Sequence, residues 1–450
     1  MPSYLSGSVV RPRTARTHHG PVESYAAVVT TGIYCRPGCG ARPRSDHVVR
    51  FPLAASAEAA GYRACLRCRP YRFPQSAPTT SPDLVCRAVQ LILDGALDAA
   101  TETTLAARMG VSPRHLRRLF TEHLGVTPDG LARSARTHFA RRLLDDTDLS
   151  VSDVAFAAGF GSVRQFNRTC LTVFRMTPNQ LRERRRRADR LVADGGLLLR
   201  LPFSGPLDWD AMLDLLANQA TPGVEHVSHR AYRRTITVEG HAGVLELTSG
   251  GHDHLLLRLH LPRWQELLHL VGRARRLANL DLDLDTALGR PADDPTIASL
   301  LAQRPGLRPP GAWDPYETGV RAILDHAGRE TGHHLAARIV ERFGAPVPGL
   351  TQLGLTHTFP SPATLLAAPL DQLGLEAGQD AALRAFSQGV ASGQLRLDGG
   401  LPPDRLLADL TATRGIDVPF AQYVALRLGS ADAHAAANPR SASYGGAVSR

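Results

Sequence analysis

Hydrophobic positions along the 450-residue chain follow a helical period from Asp83 to about Arg187, then change to a mixed pattern from Leu197 onward. Within the helical stretch one design occurs twice. In the run from Thr104 to Phe120, small Ala residues let two helices approach and Gly110 takes the turn between them. Ser112 caps the second helix and Pro113 suits its first position. Leu116, Leu119 and Phe120 form its apolar stripe, which leaves Arg114, His115, Arg117 and Arg118 facing outward. The same design returns 49 residues later, from Gly110 to Gly159. There Ser162 caps, Phe166 and Phe174 pack, and Val163, Arg164, Gln165 and Arg168 point out. A single helix-turn-helix pattern is shared by many helical hairpins, whereas two in tandem at this spacing are a strong signal of a DNA-binding module.

Past Leu197, alternation predicts strands at Arg234–Val238 and His254–Leu259, with helices at Trp209–Asn218 and Trp264–Leu277. After the Pro-rich run Arg304–Gly311 helical segments dominate. Residues 1–20 and 440–450 lack periodicity and are expected to be disordered, and the Pro/Ser/Thr stretch Pro74–Pro82 has linker composition. No apolar run reaches the roughly 20 residues of a membrane helix, so a membrane partner is not expected.

Composition alters this picture mainly through charge. Net charge is +10, and the chain contains no lysine. Residues 1–81 hold 11 Arg against 3 acids and residues 82–190 hold 18 against 12, but residues 191–450 hold 23 against 27. A basic front and an acidic back fit nucleic-acid binding by the first two parts and not by the third. The six cysteines are few and mostly paired in sequence, which suits a reducing cytoplasm.

Four of them, Cys35, Cys39, Cys65 and Cys68, are spaced C-x3-C, 25 residues, C-x2-C. Each close pair can span one edge of a tetrahedron, the arrangement a four-cysteine Zn2+ site requires. The zinc could simply staple a small domain, or it could activate a thiolate; disulfides are the remaining reading. Cys86 and Cys170 fall in the helical region and read as packed thiols.

The run TTGIYCRPGCGARP, answered by AAGYRACLRCRP, closely resembles the N-terminal domain of the Ada family of alkylation-damage response proteins over residues 21–72. That resemblance implies that Cys35 is a sacrificial methyl acceptor as well as a ligand, with Cys39, Cys65 and Cys68 completing the zinc set. It further implies that Thr31, Arg42 and Arg63 contact the DNA backbone. The tandem helical repeat, with its ending Phe174-Arg175-Met176-Thr177-Pro178, resembles the AraC-family DNA-binding domain. The order of PFSGPLDWDAMLDLL, ALGRPADDPTIASLLAQRPGLRPPGAWDPYETGVRAIL and GLPPDRLLADLTATRGIDVPFAQYVALR resembles the AlkA-type alkyladenine glycosylases over about 197–430.

The third resemblance breaks at its chemistry. The family's hairpin turn, where backbone N–H groups hold a phosphate, is here Arg414-Gly415-Ile416-Asp417, with a carboxylate in place of a glycine. The family's catalytic aspartate aligns with Ala435-Ala436-Ala437-Asn438-Pro439, so that neutral Asn438 stands where an oxocarbenium-like transition state needs charge. Trp313, Tyr316 and Phe359 could line a base pocket or belong to the core.

The expectation is a multidomain α+β chain. It comprises a basic lead-in (1–20), a small four-cysteine zinc domain (21–73), a linker (74–82) and an all-α tandem helix-turn-helix domain (83–190). An α+β subdomain (197–285), a truncated, degenerate helix-hairpin-helix glycosylase-like body (286–432) and a disordered end (433–450) follow. The expected function is a DNA alkylation-damage response protein. It regulates transcription and irreversibly takes a methyl group from DNA methylphosphotriesters onto Cys35, with an inactive glycosylase-like half. The alternatives are a bifunctional regulator with working 3-methyladenine glycosylase activity and a zinc-stapled DNA binder without methyl transfer. Expected partners are double-stranded DNA, as promoter sites and methylated backbone, and RNA polymerase as a candidate; a monomer in the cytoplasm, associated with the nucleoid, is expected.

Overall fold

The computed structural model describes residues 24–428 apart from 42, 74, 79, 99, 193–195, 283–302 and 305. The sequence expectations for 1–20 and 433–450, for Arg42 and for Asn438 therefore lie outside the described residues.

Strands β1 (Tyr25–Val28), β2 (Ile33–Cys35), β3 (Val48–Phe51) and β4 (Arg63–Ala64) form a sheet of order β3-β1-β2-β4, with helix α1 (Ala54–Ala59) beside it. Gly32, at φ +65°, closes the β1–β2 turn, and its N–H bonds Val28 O at 2.9 Å. β2 and β4 run parallel, and Cys65 N donates to Tyr34 O at 3.0 Å. This pairing carries the second cysteine pair to the end of β2, where the first begins.

The helical part contains α2 (Asp83–Leu93), α3 (Glu102–Arg108), α4 (Pro113–Leu124), α5 (Pro128–Asp146), α6 (Val151–Ala157), α7 (Val163–Phe174) and α8 (Pro178–Glu183). Both turns sit on left-handed glycines, Gly110 at φ +71° and Gly159 at φ +78°. Ser112 accepts from His115 N and Ser162 from Gln165 N, each at 3.2 Å, so the caps read from sequence are in place. Leu116, Phe120 and Leu124 share a core with Leu53 and Ala55 of the zinc domain; Phe166 and Phe174 join a core that includes Tyr71, whose ring meets Phe174 edge-on at 5.9 Å.

Helix α5 is the axle of this half. Its buried face is polar: Ser134, His138, Arg141, Asp145 and Asp146 are all under 5 % exposed. Ser134 Oγ accepts from Gln75 Nε2 at 3.0 Å, and Gln75 in turn accepts from Ala55 N at 2.9 Å. The stretch with linker composition is thus pinned between two domains at Gln75. His138 Nε2 and Tyr34 Oη each lie 2.6 Å from Glu58 Oε1. Arg141 donates to Leu181 O at 2.9 Å and pairs with Asp145, which also accepts from Tyr71 Oη at 3.0 Å. Asp146 accepts from Arg72 at 3.0 Å and from Arg200 at 3.3 Å.

The C-terminal half opens with strand β5 (Leu197–Pro202) and helix α9 (Trp209–Ala217). Strands β6 (Glu225–Val227), β7 (Ala231–Val238), β8 (His241–Ser249) and β9 (His254–His260) follow, then α10 (Leu267–Leu277). The sheet is antiparallel, ordered β5-β9-β8-β7-β6. A helical body follows: α11 (Pro315–Leu324), α12 (Arg329–Phe343), α13 (Pro362–Ala367), α14 (Ala377–Ala391), α15 (Pro403–Thr411) and α16 (Val418–Arg427). The two parts meet at a buried ion pair, Arg234 Nη2 to Glu317 Oε2 at 2.7 Å, with the Arg234 guanidinium 5.0 Å from the Trp313 ring centroid. The strands read at Arg234–Val238 and His254–Leu259 are parts of β7 and β9; β5, β6 and β8 lie beyond that reading, β5 because its apolar run has no clear alternation and β6 because it is only three residues long.

Burial by itself would raise the Glu58 carboxyl, but the charge of His138 and the hydrogen bonds from His138 and Tyr34 hold it below the usual carboxylate range. Its stabilising contribution is therefore present above that range and is lost as the pH falls through the lowered value. Glu58→Ala strands two buried polar groups, and we expect a loss of about 3 kcal/mol at neutral pH. The midpoint of denaturant unfolding checks this; an unchanged midpoint would mean that the Tyr34–Glu58–His138 contact does not hold the two domains together.

Candidate metal centre and nucleic-acid interface

The Sγ atoms of Cys35, Cys39 and Cys68 lie within 4.8 Å of one another. Tetrahedral zinc with Zn–S bonds of about 2.3 Å needs sulfurs about 3.8 Å apart, so the cluster is close to ligand geometry. Cys65, half-buried, lies outside this close set. Hydrogen bonding from Cys35 is the main cause that brings Cys68 down to about 5; burial opposes it, and the Arg36 N–H, Cys39 and Cys65 add to it. Cys35, as donor to Cys68 and by burial, is pushed far up. A bound dication relieves this, since coordination deprotonates the thiols it holds. Cys35 is the most enclosed of the four, 7 % exposed, while the others are half-buried. Cys86 is half-buried and Cys170 is buried in the helical core.

Around the cluster, Thr31 is exposed in the β1–β2 turn, and Arg63 is half-buried on β4 with no ion pair among the described residues. Arg36 lies over the Phe73 ring at 4.2 Å.

On the DNA-reading side, Arg114 and Arg118 are exposed on one face of α4. His115 is half-buried, with Nδ1 3.2 Å from Arg118 Nη2. Arg117, outward as the stripe predicts, is held by Glu102: its Nε reaches Oε2 at 3.0 Å, while Glu102 Oε1 accepts from Asp129 N at 3.2 Å. In the second repeat Arg164, Gln165 and Arg168 are exposed and Val163 is half-buried. Gln165 Oε1 accepts from Gly161 N at 3.2 Å, which leaves its NH2 free to face outward.

The glycosylase-like half has a different character. Trp313 is 6 % exposed in the core, and Tyr316 is equally buried, stacked on Phe386 at 5.7 Å with its hydroxyl 2.7 Å from Ser387 Oγ. These rings belong to the core. Asp417 is the N-cap of α16, and its Oδ1 accepts from Phe420 N at 2.9 Å. Reading the sequence missed the Arg234–Glu317 pair, in which burial pushes Glu317 up to about 7 against the pull of Arg234. It also missed the polar face of α5, whose residues 134, 138, 141 and 145 recur at helical spacing without an apolar signal.

A thiolate-type zinc module fused to a tandem helix-turn-helix defines a zinc-holding DNA-binding protein, and the sequence comparisons narrow the class. Residues 14–71 match the family model for the metal binding domain of Ada, 105–184 that for a helix-turn-helix domain, and 198–314 that for the AlkA N-terminal domain. The cofactor is zinc. A probable bifunctional transcriptional activator/DNA repair enzyme AlkA from Mycobacterium tuberculosis is 37% identical over 92% of this chain and 84% of its own length. The bifunctional transcriptional activator/DNA repair enzyme Ada of Escherichia coli is 34% identical over 37% of this chain and 46% of its own. DNA-3-methyladenine glycosylase 2 of Escherichia coli is 29% identical over 50% of this chain and 79% of its own. The chain belongs to the family of bifunctional transcriptional activators and DNA repair enzymes that combine Ada-type and AlkA-type parts.

The cluster geometry generates a direct test. Wild-type protein is expected to carry one zinc ion, and Cys39→Ala and Cys68→Ala to lose most of it, with a lower thermal midpoint on chelation in wild type only. Elemental analysis beside thermal unfolding measures both. Full zinc content in both variants would place the ion elsewhere.

Proposed function

We propose that this protein senses DNA alkylation by accepting a methyl group from a DNA methylphosphotriester onto Cys35 and, once methylated, binds its promoter sites more tightly. The observation that carries the reading is the close set of Cys35, Cys39 and Cys68 in an Ada-type domain that is packed against the tandem helix-turn-helix. When bound, zinc supplies thiolate character at neutral pH without a general base. The Cys35 sulfur attacks the methyl carbon in line with the ester C–O bond. The S–C bond forms as the C–O bond breaks, and the electron pair leaves on oxygen as an ordinary phosphodiester anion. The thioether has no route back, so each chain acts once. Thr31, Arg42 and Arg63 are assigned to the DNA backbone, where guanidinium groups suit phosphate oxygens.

Turning one thiolate into a thioether removes a negative charge that would face the DNA backbone, which favours binding after transfer. Arg114, His115, Arg118, Val163, Arg164, Gln165 and Arg168 are assigned to groove reading, and Arg117 to holding α4 against Glu102. Both reading helices come from one chain, which supports a monomer; RNA polymerase is the partner an activator would meet, in the cytoplasm at the chromosome.

For the C-terminal half we favour loss of base excision. Asp417 already fills the N-terminus of α16 with its own carboxylate, which disfavours a phosphate at that helix end. Asn438 in place of a carboxylate removes the charge that excision needs.

Two outcomes follow. After incubation with methylated DNA, peptide mass analysis is expected to find the added methyl on Cys35, with promoter affinity raised at least about tenfold in wild type and unchanged in Cys35→Ser. A methyl on Cys39, Cys65 or Cys68, or equal affinity of methylated and unmethylated protein, would sink the assignment. Separately, intact protein is expected to release no 3-methyladenine from alkylated DNA. Release by wild type that persists in Cys35→Ser would show a working glycosylase and an error at Asn438.

A further inference from the structure

If the C-terminal half does not excise bases, its contacts with the first helix-turn-helix acquire a different meaning. That half grips the repeat at two separate places. From α10, Arg276 forms an ion pair with Asp94 at the end of α2, and His269 Nε2 lies 2.8 Å from Asp98 Oδ2. Between these acids, Gly95 adopts φ +94°, and a Cβ there would fall 1.9 Å from His269 Cε1. The imidazole thus occupies the space that a side chain would take. The second place belongs to the helical body. Arg396 Nη1 donates to Arg108 O, the last residue of α3, at 3.4 Å, and Asp398 pairs with the Arg108 guanidinium. Asp398 is set by its own loop, accepting from Gly400 N at 2.9 Å, and Gly400 approaches Leu91 of α2 closely enough that a Cβ would sit 3.2 Å from Leu91 Cδ1.

These contacts touch the back of the repeat and spare its front. Asp94 and Gly95 end α2, Asp98 lies in the loop that follows and Arg108 ends α3, whereas Arg114 and Arg118 on α4 remain exposed. α3 and α4 share one core, so whatever fixes α3 fixes the angle at which α4 is offered to a groove. Each repeat packs on α5 and the zinc domain, the first in its own core and the second in the large core that also takes in the C-terminal sheet; the two grips described above fall on the first repeat. We propose that the glycosylase-like half is an intramolecular brace that orients the first helix-turn-helix and so raises the affinity of the regulator for DNA. The proposal rests on DNA reading by α4 and α7, and does not depend on methyl transfer.

The test uses unmethylated full-length chains and the duplex that wild type selects from a random-sequence pool. Failure of wild type to select any sequence would count against the DNA-reading assignment itself, so the two failures are told apart. Asp398→Arg adds positive charge and by general electrostatics should tighten DNA binding. Under the brace it sets three arginines together, opens the contact, and is expected to weaken binding about tenfold. The change should come with faster amide exchange across residues 83–110. Arg108→Asp should behave alike, and the double variant Arg108→Asp/Asp398→Arg should regain affinity and protection together. Gly95→Leu tests the other grip with the same two readouts. Tighter or unchanged binding by Asp398→Arg, or a double variant as weak as the sum of its singles, would overturn the brace. Faster exchange with unchanged affinity would overturn it too, since the halves would touch without consequence for DNA.

Discussion

The structure depends on one buried helix face that is polar where a helix face is ordinarily apolar. Along α5, Ser134, His138, Arg141, Asp145 and Asp146 each reach a different part of the chain: the Gln75 stretch, Glu58 of the zinc domain, the Leu181 carbonyl after the second repeat, Tyr71, and Arg200 of the C-terminal sheet. Apolar contacts at these positions would bury comparable area but would tolerate sliding and rotation. Directional hydrogen bonds in a low-dielectric interior do not, because every misplaced group leaves a buried donor or acceptor unsatisfied. The consequence is a fixed relation between the thiol cluster and the reading helices. Tyr34 makes this most direct: it precedes Cys35 in β2, and its hydroxyl shares Glu58 with His138 of α5.

The elements legible in the sequence are those whose signal is local. Cysteine spacing declares a metal site, because ligand geometry restricts how far apart two donors in one loop can be. The repeat of Gly110, Ser112 and Leu116 in Gly159, Ser162 and Phe166 declares the tandem module, because turn, cap and stripe are all set within a dozen residues. The face of α5 carries no such signal. Its partners are 40 to 104 residues away, as with Arg141 and Leu181 or His138 and Tyr34, and a helix buried on nearly every side shows no apolar stripe. Arg117 was read as outward from the stripe alone; its engagement by Glu102 on α3 depends on the angle between two helices, which periodicity does not encode. Trp313 and Tyr316 were ambiguous in sequence for the same reason, and their packing, not their identity, makes them core.

Three helix ends show how a shared local rule produces different relations to DNA. α4, α7 and α16 all begin with a side-chain cap: Ser112, Ser162 and Asp417 each accept from a backbone N–H three residues on. Structurally the caps are equivalent, since each satisfies one of the orphan donors of the first turn. Electrostatically they are opposed. A serine hydroxyl is neutral, so the partial positive charge at the start of α4 and α7 persists, next to Arg114 and Arg164, and still attracts a phosphate. A carboxylate cancels that charge and repels the phosphate from the same position. An aspartate where the AlkA resemblance expects a glycine therefore keeps α16 intact and even favours it, and under the proposed function it withdraws that helix end from the DNA backbone. The acidic balance of residues 191–450 points the same way. Under the function proposed above, a half of the chain whose helix end and net charge both turn from DNA, yet whose Arg276, His269 and Asp398 hold the first helix-turn-helix, acts on the reading helices and not on the bases.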